Sequence, residues 1–378
     1  MKKNITVGID IRDLKIAVTG TKTFLEGICN EFNKKNPGFT FYFFTTNTSV
    51  YTGKNIFLKT VEHFRYLIWK QVILPSKARI AKCDIVFCSD FFVPYFHPGF
   101  VTIPVFHDAF FWEYPEHYNK YWLWLFRKIG VAAARRSAYI ITPTEFTRKR
   151  IAYFSGIDSA RIIPVYEAAK KFSPISDNNA QTENPVLQKI FSSQYILHVG
   201  TFEKRKNIPR LIKAFKLLKD GGYENIKLLL VGQASKKAAL DDTTAIQKSI
   251  TETGLQDQVF MPGYVSDKDL SLCYQNAFFY TLPSLNEGFG IPVLEAFQHK
   301  IPVLIANNSC LIEVAGDAAI SFDPFNEHDI ADKMKLLMDN PALHQEMIEK
   351  GSKRLELFSW EKTSIALLSV FQKVVKKK

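Results

Sequence analysis

Two glutamates flank a glycine-containing loop in the stretch PSLNEGFGIPVLEA. Glu287 comes directly before Gly288–Gly290, and Glu295 follows Glu287 by eight positions. The loop lies between a predicted strand and a helix that begins near Pro292, so backbone N–H groups and the helix dipole favour an anion there. Because carboxylates accept hydrogen bonds from hydroxyls, the pair suits a sugar beside a phosphate. The alternative is a surface loop with two solvated glutamates.

A run of cations occurs in the stretch VGTFEKRKN, which also follows a predicted strand. Lys204, Arg205 and Lys206 come after the turn at Gly200 and before a helix that contains Pro209. Cations held next to a glycine turn can stabilise the negative charge of a departing diphosphate. The alternative is a solvated charge run.

Two further polar segments follow strands in the first half of the chain. His107-Asp108 ends a predicted strand, where α/β sheets bind ligands, and a histidine there can bind a sugar hydroxyl or transfer a proton. A structural histidine is the alternative. Gly20 lies in the loop after the first strand, in a segment without the G-x-G-x-x-G pattern. A dinucleotide-dependent dehydrogenase is therefore disfavoured.

Short apolar runs alternate with helical patterns along the whole chain. Strands are predicted over 5–11, 39–45, 85–89, 103–106, 139–142, 195–199, 226–231, 259–261, 277–282, 301–305 and 319–322. Helices are predicted over 24–32, 64–74, 118–136, 144–154, 209–220, 241–253, 292–298 and 329–338, with a last helix over 359–378. This alternation predicts an α/β fold with parallel sheets.

The alternation and the charge both divide the chain into two parts. The polar stretch 173–185 has no apolar period and predicts a linker between a domain at 1–172 and a second at 186–358. Residues 1–172 carry the entire net charge of +12, because residues 173–378 contain 24 residues of each sign. The basic first domain should prefer an anionic surface or ligand.

The cysteines and the apolar runs bear on the location of the protein. Five scattered cysteines without a C-x-x-C pair indicate free thiols in a reducing cytosol. No apolar run has the length of a membrane span, and the first one is too short for a signal peptide. The stretch 118–136 mixes aromatic residues with lysine and arginine, so it is either an interfacial helix or a core helix with a basic outer face.

Taken together, these segments resemble the retaining nucleotide-sugar glycosyltransferases of the GT-B class, and among them glycosyltransferase family four. The resemblance is carried by the E-x(7)-E element within NEGFGIPVLEA and by VGTFEKRKN, with PGYVSDKDL, His107-Asp108 and EVAGDAA in the same order along the chain. It is strongest over residues 195–325. The sequence departs from the family in having one glycine, not two adjacent ones, at Thr19-Gly20-Thr21.

The resemblance implies two Rossmann-like domains that face each other across a cleft, with the helix 359–378 returning to the first domain. The C-terminal domain would bind the nucleotide and the N-terminal domain the acceptor. It also implies a role for each site residue. Glu287 would bind the donor-sugar hydroxyls, His107 would contact the transferred sugar, and Glu295 would bind the ribose. Arg205 and Lys206 would hold the diphosphate, and Val265 would lie against the base. The backbone of Gly288, Phe289 and Gly290 would contact the sugar and the phosphates, and Gly20 would form part of the loop near the phosphates.

The implied reaction is transfer of a sugar from a nucleotide-sugar to a hydroxyl of a glycan or lipid-linked acceptor, with retention of configuration. The VGTFEKRKN and EGFGIPVLEA segments resemble those of mannosyltransferases and rhamnosyltransferases of surface-polysaccharide assembly, which favours GDP-mannose as donor. The single D-x-D triplet, Asp267-Lys268-Asp269, lies in the PGYVSDKDL segment and is not taken as the DxD motif of the metal-dependent transferases, so we expect a metal-independent enzyme that needs no cofactor. The basic first domain fits a cytoplasmic protein on the inner face of a membrane.

Other functions remain open from the sequence. The same reaction with a UDP- or dTDP-sugar is the main alternative. A nucleotide-sugar epimerase of the GT-B fold and a basic nucleic-acid-binding protein are more remote. No helix-turn-helix, RRM or OB signature supports the last of these, so nucleic acid is not expected as a partner.

Overall fold

A computed structural model describes residues 4–17, 20–34, 36–51, 53, 55–172 and 182–376 of the chain. The chain forms two compact units, one comprising Met1–Ala168 and Ser359–Lys378 and the other Ala169–Phe358. The sequence places the domain boundary in the linker 173–185, of which residues 173–181 lie outside the described residues. The units of the structure divide four residues before that linker begins.

The N-terminal unit contains a four-stranded parallel sheet in the order β2-β1-β3-β4 and a parallel pair, β5-β6. Its strands are β1 (Ile5–Asp10), β2 (Phe39–Phe44), β3 (Ile85–Cys88), β4 (Val101–Pro104), β5 (Ile140–Thr142) and β6 (Ile162–Pro164). Its helices are α1 (Gly20–Phe32), α2 (Ile56–Ile68), α3 (Leu74–Ile80), α4 (Phe110–Glu113), α5 (Lys120–Leu125), α6 (Val131–Arg136) and α7 (Glu145–Ser155). A parallel bridge between Val105 and Ile141 joins the two groups of strands.

The C-terminal unit is built on a six-stranded parallel sheet in the order β12-β11-β10-β7-β8-β9. Its strands are β7 (Tyr195–Val199), β8 (Lys227–Val231), β9 (Val259–Gly263), β10 (Phe279–Leu282), β11 (Val303–Ala306) and β12 (Ile320–Phe322). Its helices are α8 (Pro185–Ile190), α9 (Ile208–Asp220), α10 (Thr243–Glu252), α11 (Asp267–Gln275), α12 (Ile291–Gln298), α13 (Leu311–Ala315), α14 (Glu327–Asp339) and α15 (Pro341–Leu355). The central strands are buried runs of apolar residues, as expected for a parallel sheet covered by helices.

The predicted fold class of two parallel α/β domains is confirmed, whereas several helix predictions were incomplete. The predicted helix 64–74 is part of a longer element, in which a π turn at Trp69–Ile73 joins α2 to α3. The predicted helix 118–136 begins at Lys120 and contains a second π turn, Phe126–Gly130. Helix α15 was not predicted, because its pattern is too polar to stand out.

The last helix, α16 (Trp360–Lys376), belongs to the N-terminal unit and packs against α1. The indole of Trp360 lies so close to Gly27 that a Cβ at that position would come within 2.2 Å of it. The apolar side of α16 thus completes the core on one face of the β2-β1-β3-β4 sheet. Residues 377 and 378 of the predicted helix lie outside the described residues.

All five cysteines are buried free thiols. Within the part of the chain that the structure describes, no helix is long and apolar enough to span a membrane.

Candidate active site

Three loops meet at one edge of the C-terminal sheet. Strands β7, β10 and β11 are neighbours and run parallel, so the segments that follow them lie side by side at the carboxyl edge. These segments are 200–207, 283–290 and 307–310. The predicted glutamate and the predicted cations therefore come from adjacent loops. In open α/β sheets this edge is where ligands bind.

The carboxylate of Glu287 is held by both predicted cations. Lys206 donates from Nζ to Oε1 at 2.5 Å, and Arg205 donates from Nη1 to Oε2 at 2.8 Å. Glu287 and Lys206 are almost fully buried, at 8% and 6% exposed. Since each carboxylate oxygen can accept two hydrogen bonds, the pairing leaves acceptor capacity for a ligand hydroxyl.

Burial and ion pairing act in opposite directions on these groups. Burial alone would raise the pKa of Glu287, but the charges of Arg205 and Lys206 outweigh it and lower the pKa to about 2. For Lys206, burial is the larger effect, and it lowers the pKa in spite of the attraction of Glu287. Arg205 also pairs through Nε with Oε2 of Glu203 at 3.0 Å, so the cluster holds two carboxylates and two cations whose formal charges balance.

Hydrogen bonds fix the loops against one another. The backbone N–H of Leu285 donates to the carbonyl of Arg205 at 2.7 Å, and the Asn207 amide donates to the carbonyls of Pro283 and Pro324. Asn207 has a φ of 58°, a left-handed conformation that asparagine tolerates better than most residues. These contacts position the cations before any ligand binds, which is the condition for electrostatic stabilisation of a transition state.

Gly290 sets the path of the chain into helix α12. Its φ is +95°, and a Cβ there would lie 2.7 Å from a methyl carbon of Leu311. The helix begins at Ile291 with Pro292 in its first turn, so its first N–H groups face the edge that carries Glu287. The predicted helix start is therefore in place, and anion binding there stays a prediction.

Several buried polar atoms at this edge have no hydrogen-bond partner. They are His198 Nε2, Thr281 Oγ1, Asn308 Oδ1 and Ser309 Oγ, on or directly after β7, β10 and β11. Burial lowers the pKa of His198 to about 4, so its ring is neutral at pH 7, and its Nδ1 lies 3.0 Å from the carbonyl of Thr281. A buried polar group without a partner costs free energy, so this concentration is typical of a site that a polar ligand completes.

Glu295, predicted to contact a ribose, lies on α12 inside the C-terminal unit. Its Oε2 accepts a hydrogen bond from the Tyr274 hydroxyl at 2.8 Å. Burial raises its pKa to about 7. The side chain is 6% exposed, so only a small part of it is accessible to a ligand.

The remaining predicted C-terminal residues differ in exposure. Val265 follows β9 and Phe289 precedes α12, and both are buried in the apolar core of the unit, at 7% and 5% exposed. Gly288 is partly exposed beside Glu287. The backbone of this loop is therefore better placed for a ligand than the Phe289 ring.

His107, in the N-terminal unit, is engaged through both ring nitrogens. Its Nε2 lies 2.9 Å from the carbonyl of Ser89, and its Nδ1 lies 3.1 Å from Oε1 of Glu167. Burial alone would lower the pKa of His107, but the Glu167 carboxylate outweighs it and raises the pKa. Since both partners are acceptors, the ring can donate to both of them only when it is protonated. This charged state suits hydrogen bonding and charge stabilisation better than proton abstraction.

Gly20, predicted to lie in a phosphate-binding loop, is the first residue of helix α1. The two residues before it, 18 and 19, lie outside the described residues. The structure therefore places Gly20 at a helix start, and its contact with phosphate stays a prediction.

Sequence analysis missed a buried ionic cluster at the carboxyl ends of β1 and β3. Lys70 donates from Nζ to Asp10 and Asp90, both at 2.6 Å, and Tyr66 donates to Asp90. The Trp69 indole also donates to Asp10, at 3.1 Å. The position of Asp10 at a strand end was a usable signal, but nothing in the sequence indicates that Lys70 points inward. In the described ranges, no group of three or more His, Cys, Asp or Glu side chains could hold a metal ion.

Comparison with known proteins shows what this chain is similar to. Residues 181–354, which make up most of the C-terminal unit, match the family described as "Glycosyl transferases group 1". Solved structures match almost the whole chain. Sucrose-phosphate synthase from Thermosynechococcus elongatus has a TM-score of 0.75 at 16% identity over 99% of this chain and all of that one. Anabaena HepE in complex with UDP and glucose has a TM-score of 0.69 at 13% identity over 98% of this chain and all of that one. The GT-B fold is thereby confirmed.

Among curated proteins, several relatives are mannosyltransferases. O-antigen chain mannosyltransferase B of Escherichia coli is 28% identical over 72% of this chain and 70% of its own length. O-antigen chain mannosyltransferase RfbU of Salmonella typhimurium is 24% identical over 73% of this chain and 70% of its own length. The serotype-specific mannosyltransferase WbdA of Escherichia coli is 25% identical over 65% of this chain, which spans only 30% of WbdA. The predicted likeness to mannosyltransferases of the GT-B class is confirmed, and the narrower assignment to family four stays a prediction.

Removing one partner of the buried pair should destabilise the C-terminal unit. In Glu287→Gln, Lys206 keeps a buried charge without a counterion, so we expect a loss of about 3 kcal/mol in the free energy of unfolding. Lys206→Met should cost a similar amount, and the double variant should cost clearly less than the sum of the two. Urea denaturation measures all three.

Asp220→Asn, in the exposed pair with Lys216, is the control and should cost about 0.5 kcal/mol or less. Additive losses in the double variant would contradict the pairing.

Glu167 should control the titration of His107. In Glu167→Gln the charge that opposes burial is lost, so the pKa of His107 should fall, as followed by NMR of the imidazole C–H signals. In the unmutated protein, the raised pKa means that the pair stabilises the fold fully below about pH 6.5, and that this contribution is lost as pH rises through the folded pKa. An unchanged pKa in Glu167→Gln would contradict the contact.

Proposed function

We propose that this protein is a retaining, metal-independent glycosyltransferase that moves a hexose from a nucleotide-sugar to a hydroxyl of a glycan or lipid-linked acceptor. The observation that supports it best is the Glu287 carboxylate between Arg205 and Lys206, at the ligand-binding edge of a group 1 glycosyltransferase domain. One carboxylate suits sugar hydroxyls, and two cations suit a diphosphate. The unpartnered polar atoms beside them are the groups that such a ligand would satisfy.

The proposed reaction breaks the bond between the anomeric carbon and the diphosphate oxygen. The electron pair stays on the diphosphate, whose growing negative charge is stabilised by Arg205, Lys206 and the start of helix α12. The acceptor oxygen attacks the anomeric carbon from the face that the diphosphate leaves, and its proton passes to the departing phosphate oxygen. The configuration at the anomeric carbon is retained. Glu287 would hold the sugar hydroxyls in this step.

We propose mannose from GDP-mannose as the transferred sugar and its donor. The support comes from relatives that are named O-antigen mannosyltransferases. The HepE structure contains UDP and glucose, so a UDP-sugar is the second candidate donor, with a dTDP-sugar next. The product would be a cell-surface polysaccharide or its lipid-linked precursor. We place the protein in the cytoplasm, on the inner face of a membrane, and expect it to need no cofactor.

Nucleotide binding tests the proposal directly. We expect one of GDP, UDP, dTDP and ADP, alone or as its sugar conjugate, to raise the melting temperature selectively, with GDP and GDP-mannose giving the largest shift. At 100 times its dissociation constant, a ligand stabilises the fold by about 2.7 kcal/mol, which thermal denaturation detects readily. No response to any nucleotide would contradict the proposal.

A transfer assay with the responding donor tests the chemistry. Glu287→Ala and Lys206→Ala should lose nearly all turnover, while the exposed-pair variant Asp220→Asn keeps it. NMR of the product should show the anomeric configuration of the donor, and a chelator should leave the rate unchanged. Turnover like that of the unmutated protein in both site variants, or inversion at the anomeric carbon, would refute the mechanism.

A further inference from the structure

A continuous apolar stripe runs along the outer side of α2. Phe57, Val61, Phe64 and Ile68 follow one another at intervals of four, three and four residues, which places them on one side of a helix. Their side chains are exposed, with Phe57 at 73% and Phe64 at 64%. The opposite side carries the buried Glu62. An amphipathic helix normally buries its apolar side, so this exposure needs an explanation.

The π turn between α2 and α3 keeps the exposed apolar residues on one side of the helical segment. It adds a residue to the helical repeat, so Trp69, Lys70 and Leu74 remain buried while Val72 and Ile73 face outward. The stripe continues to Ile80, at 81% exposed, near the end of α3. The exposed large apolar residues of this helical segment are Phe57, Leu58, Val61, Phe64, Ile68, Val72, Ile73 and Ile80.

Exposed aromatic residues from two neighbouring segments extend this surface. The imidazole of His63 on α2 stacks on Trp122 of α5, with ring centroids 5.6 Å apart, and α5 also presents exposed Tyr121 and Trp124. Gln71 accepts a hydrogen bond from the backbone of Tyr95, next to exposed Phe96. We call the eight helical residues together with Tyr95, Phe96, Tyr121 and Trp124 the apolar patch.

The exposed charges on residues 57–82 and 118–136 have one sign. Glu62 is the sole acidic residue between 57 and 82, and it is buried in ion pairs with Arg12 and Arg65. Residues 118–136 contain no acidic residue. The exposed cations on these segments are Lys59, Arg79, Lys82, Lys120, Arg127, Lys128, Arg135 and Arg136.

We propose that the apolar patch is a membrane-docking surface that inserts into the headgroup region of a bilayer containing anionic lipid. Apolar side chains beside tryptophan and tyrosine, with a rim of cations, match the chemistry of an interfacial element. The cations contact anionic headgroups, and the phenylalanine and isoleucine side chains reach the acyl boundary. The surface deepens the proposed function, because it brings the enzyme to a lipid-linked acceptor.

This assignment changes the expectation for residues 118–136. The sequence left this stretch as either an interfacial helix or a core helix with a basic outer face. In the structure, Leu123 and Phe126 are buried, and Tyr121 and Trp124 are the large apolar side chains of the stretch that are exposed. The stretch contributes an edge of the surface, and α2 and α3 contribute its centre.

Vesicle flotation of the full chain tests the proposal. The protein should float with vesicles of mixed phosphatidylglycerol and phosphatidylcholine, and much less with phosphatidylcholine alone. The variant Phe57→Ser/Phe64→Ser/Ile68→Ser should bind at least about tenfold more weakly, because three inserting side chains are lost. All three are exposed, so the fold should be retained.

A matched variant and a spectroscopic signal complete the test. Phe325→Ser/Leu336→Ser/Leu357→Ser removes three exposed apolar side chains from the C-terminal unit and should bind vesicles like the unmutated protein. Tryptophan emission should shift to shorter wavelength on vesicle binding, and Trp124→Phe should lose most of that shift. Equal binding by both triple variants would overturn the assignment.

The same preparations separate this inference from the proposed function. Nucleotide-induced stabilisation should be unchanged in the Phe57→Ser/Phe64→Ser/Ile68→Ser variant. Intact nucleotide binding without vesicle binding in the unmutated protein would overturn the membrane surface alone. A stable dimer that this triple variant converts to a monomer, without vesicle binding, would also overturn it and assign the patch to self-association.

Discussion

The C-terminal site depends on one buried carboxylate, that of Glu287, and on the two cations that neutralise it. A carboxylate at this depth is stable only because Lys206 and Arg205 approach it from the neighbouring loop. The need to keep these three charges together accounts for the hydrogen bonds between the two loops. The backbone bond from Leu285 to Arg205 and the amide of Asn207 hold the two loops at the distance that the ion pairs need. The same contacts fix the donors of Arg205 and Lys206 in place, which is the property that a diphosphate would use.

Local patterns in the sequence predicted much of this site, because strand ends and loop composition are local. The alternation of elements predicted both sheets, and the structure brings together residues 200–207 and 283–290, which the sequence singled out. The sequence assigned Glu287 to sugar and the cations to diphosphate, and it did not indicate that they pair. Pairing follows from the adjacency of β7 and β10, which are separated by about eighty residues of chain and two other strands. Strand order depends on the whole sheet, so the local periodicity of the sequence does not reveal it.

In the N-terminal unit, the sequence pattern does not indicate which side of a helix is buried. The apolar residues of α2 have the periodicity of a core-facing helix, yet they lie outside, and Lys70 lies inside. Periodicity identifies the side of a helix that is apolar, but not what covers that side. Lys70 is buried because Asp10 and Asp90, from the ends of β1 and β3, surround its ammonium group. The basic N-terminal unit carries the apolar outer surface, and the C-terminal unit carries the match to group 1 glycosyltransferases, which points to a division between docking and chemistry.

The most direct test of the central claim is calorimetric titration of GDP-mannose, or of whichever donor the nucleotide screen selects, into the Glu287→Gln/Lys206→Met double variant. This variant removes the carboxylate and the lysine together, so it leaves no uncompensated lysine charge, and its folding can be checked by circular dichroism. The account predicts a folded protein whose donor affinity is at least about tenfold weaker, since a charge-assisted contact to a diphosphate contributes about 1.5–3 kcal/mol. A folded double variant with the donor affinity of the unmutated protein would show that this cluster is structural and that the donor binds elsewhere.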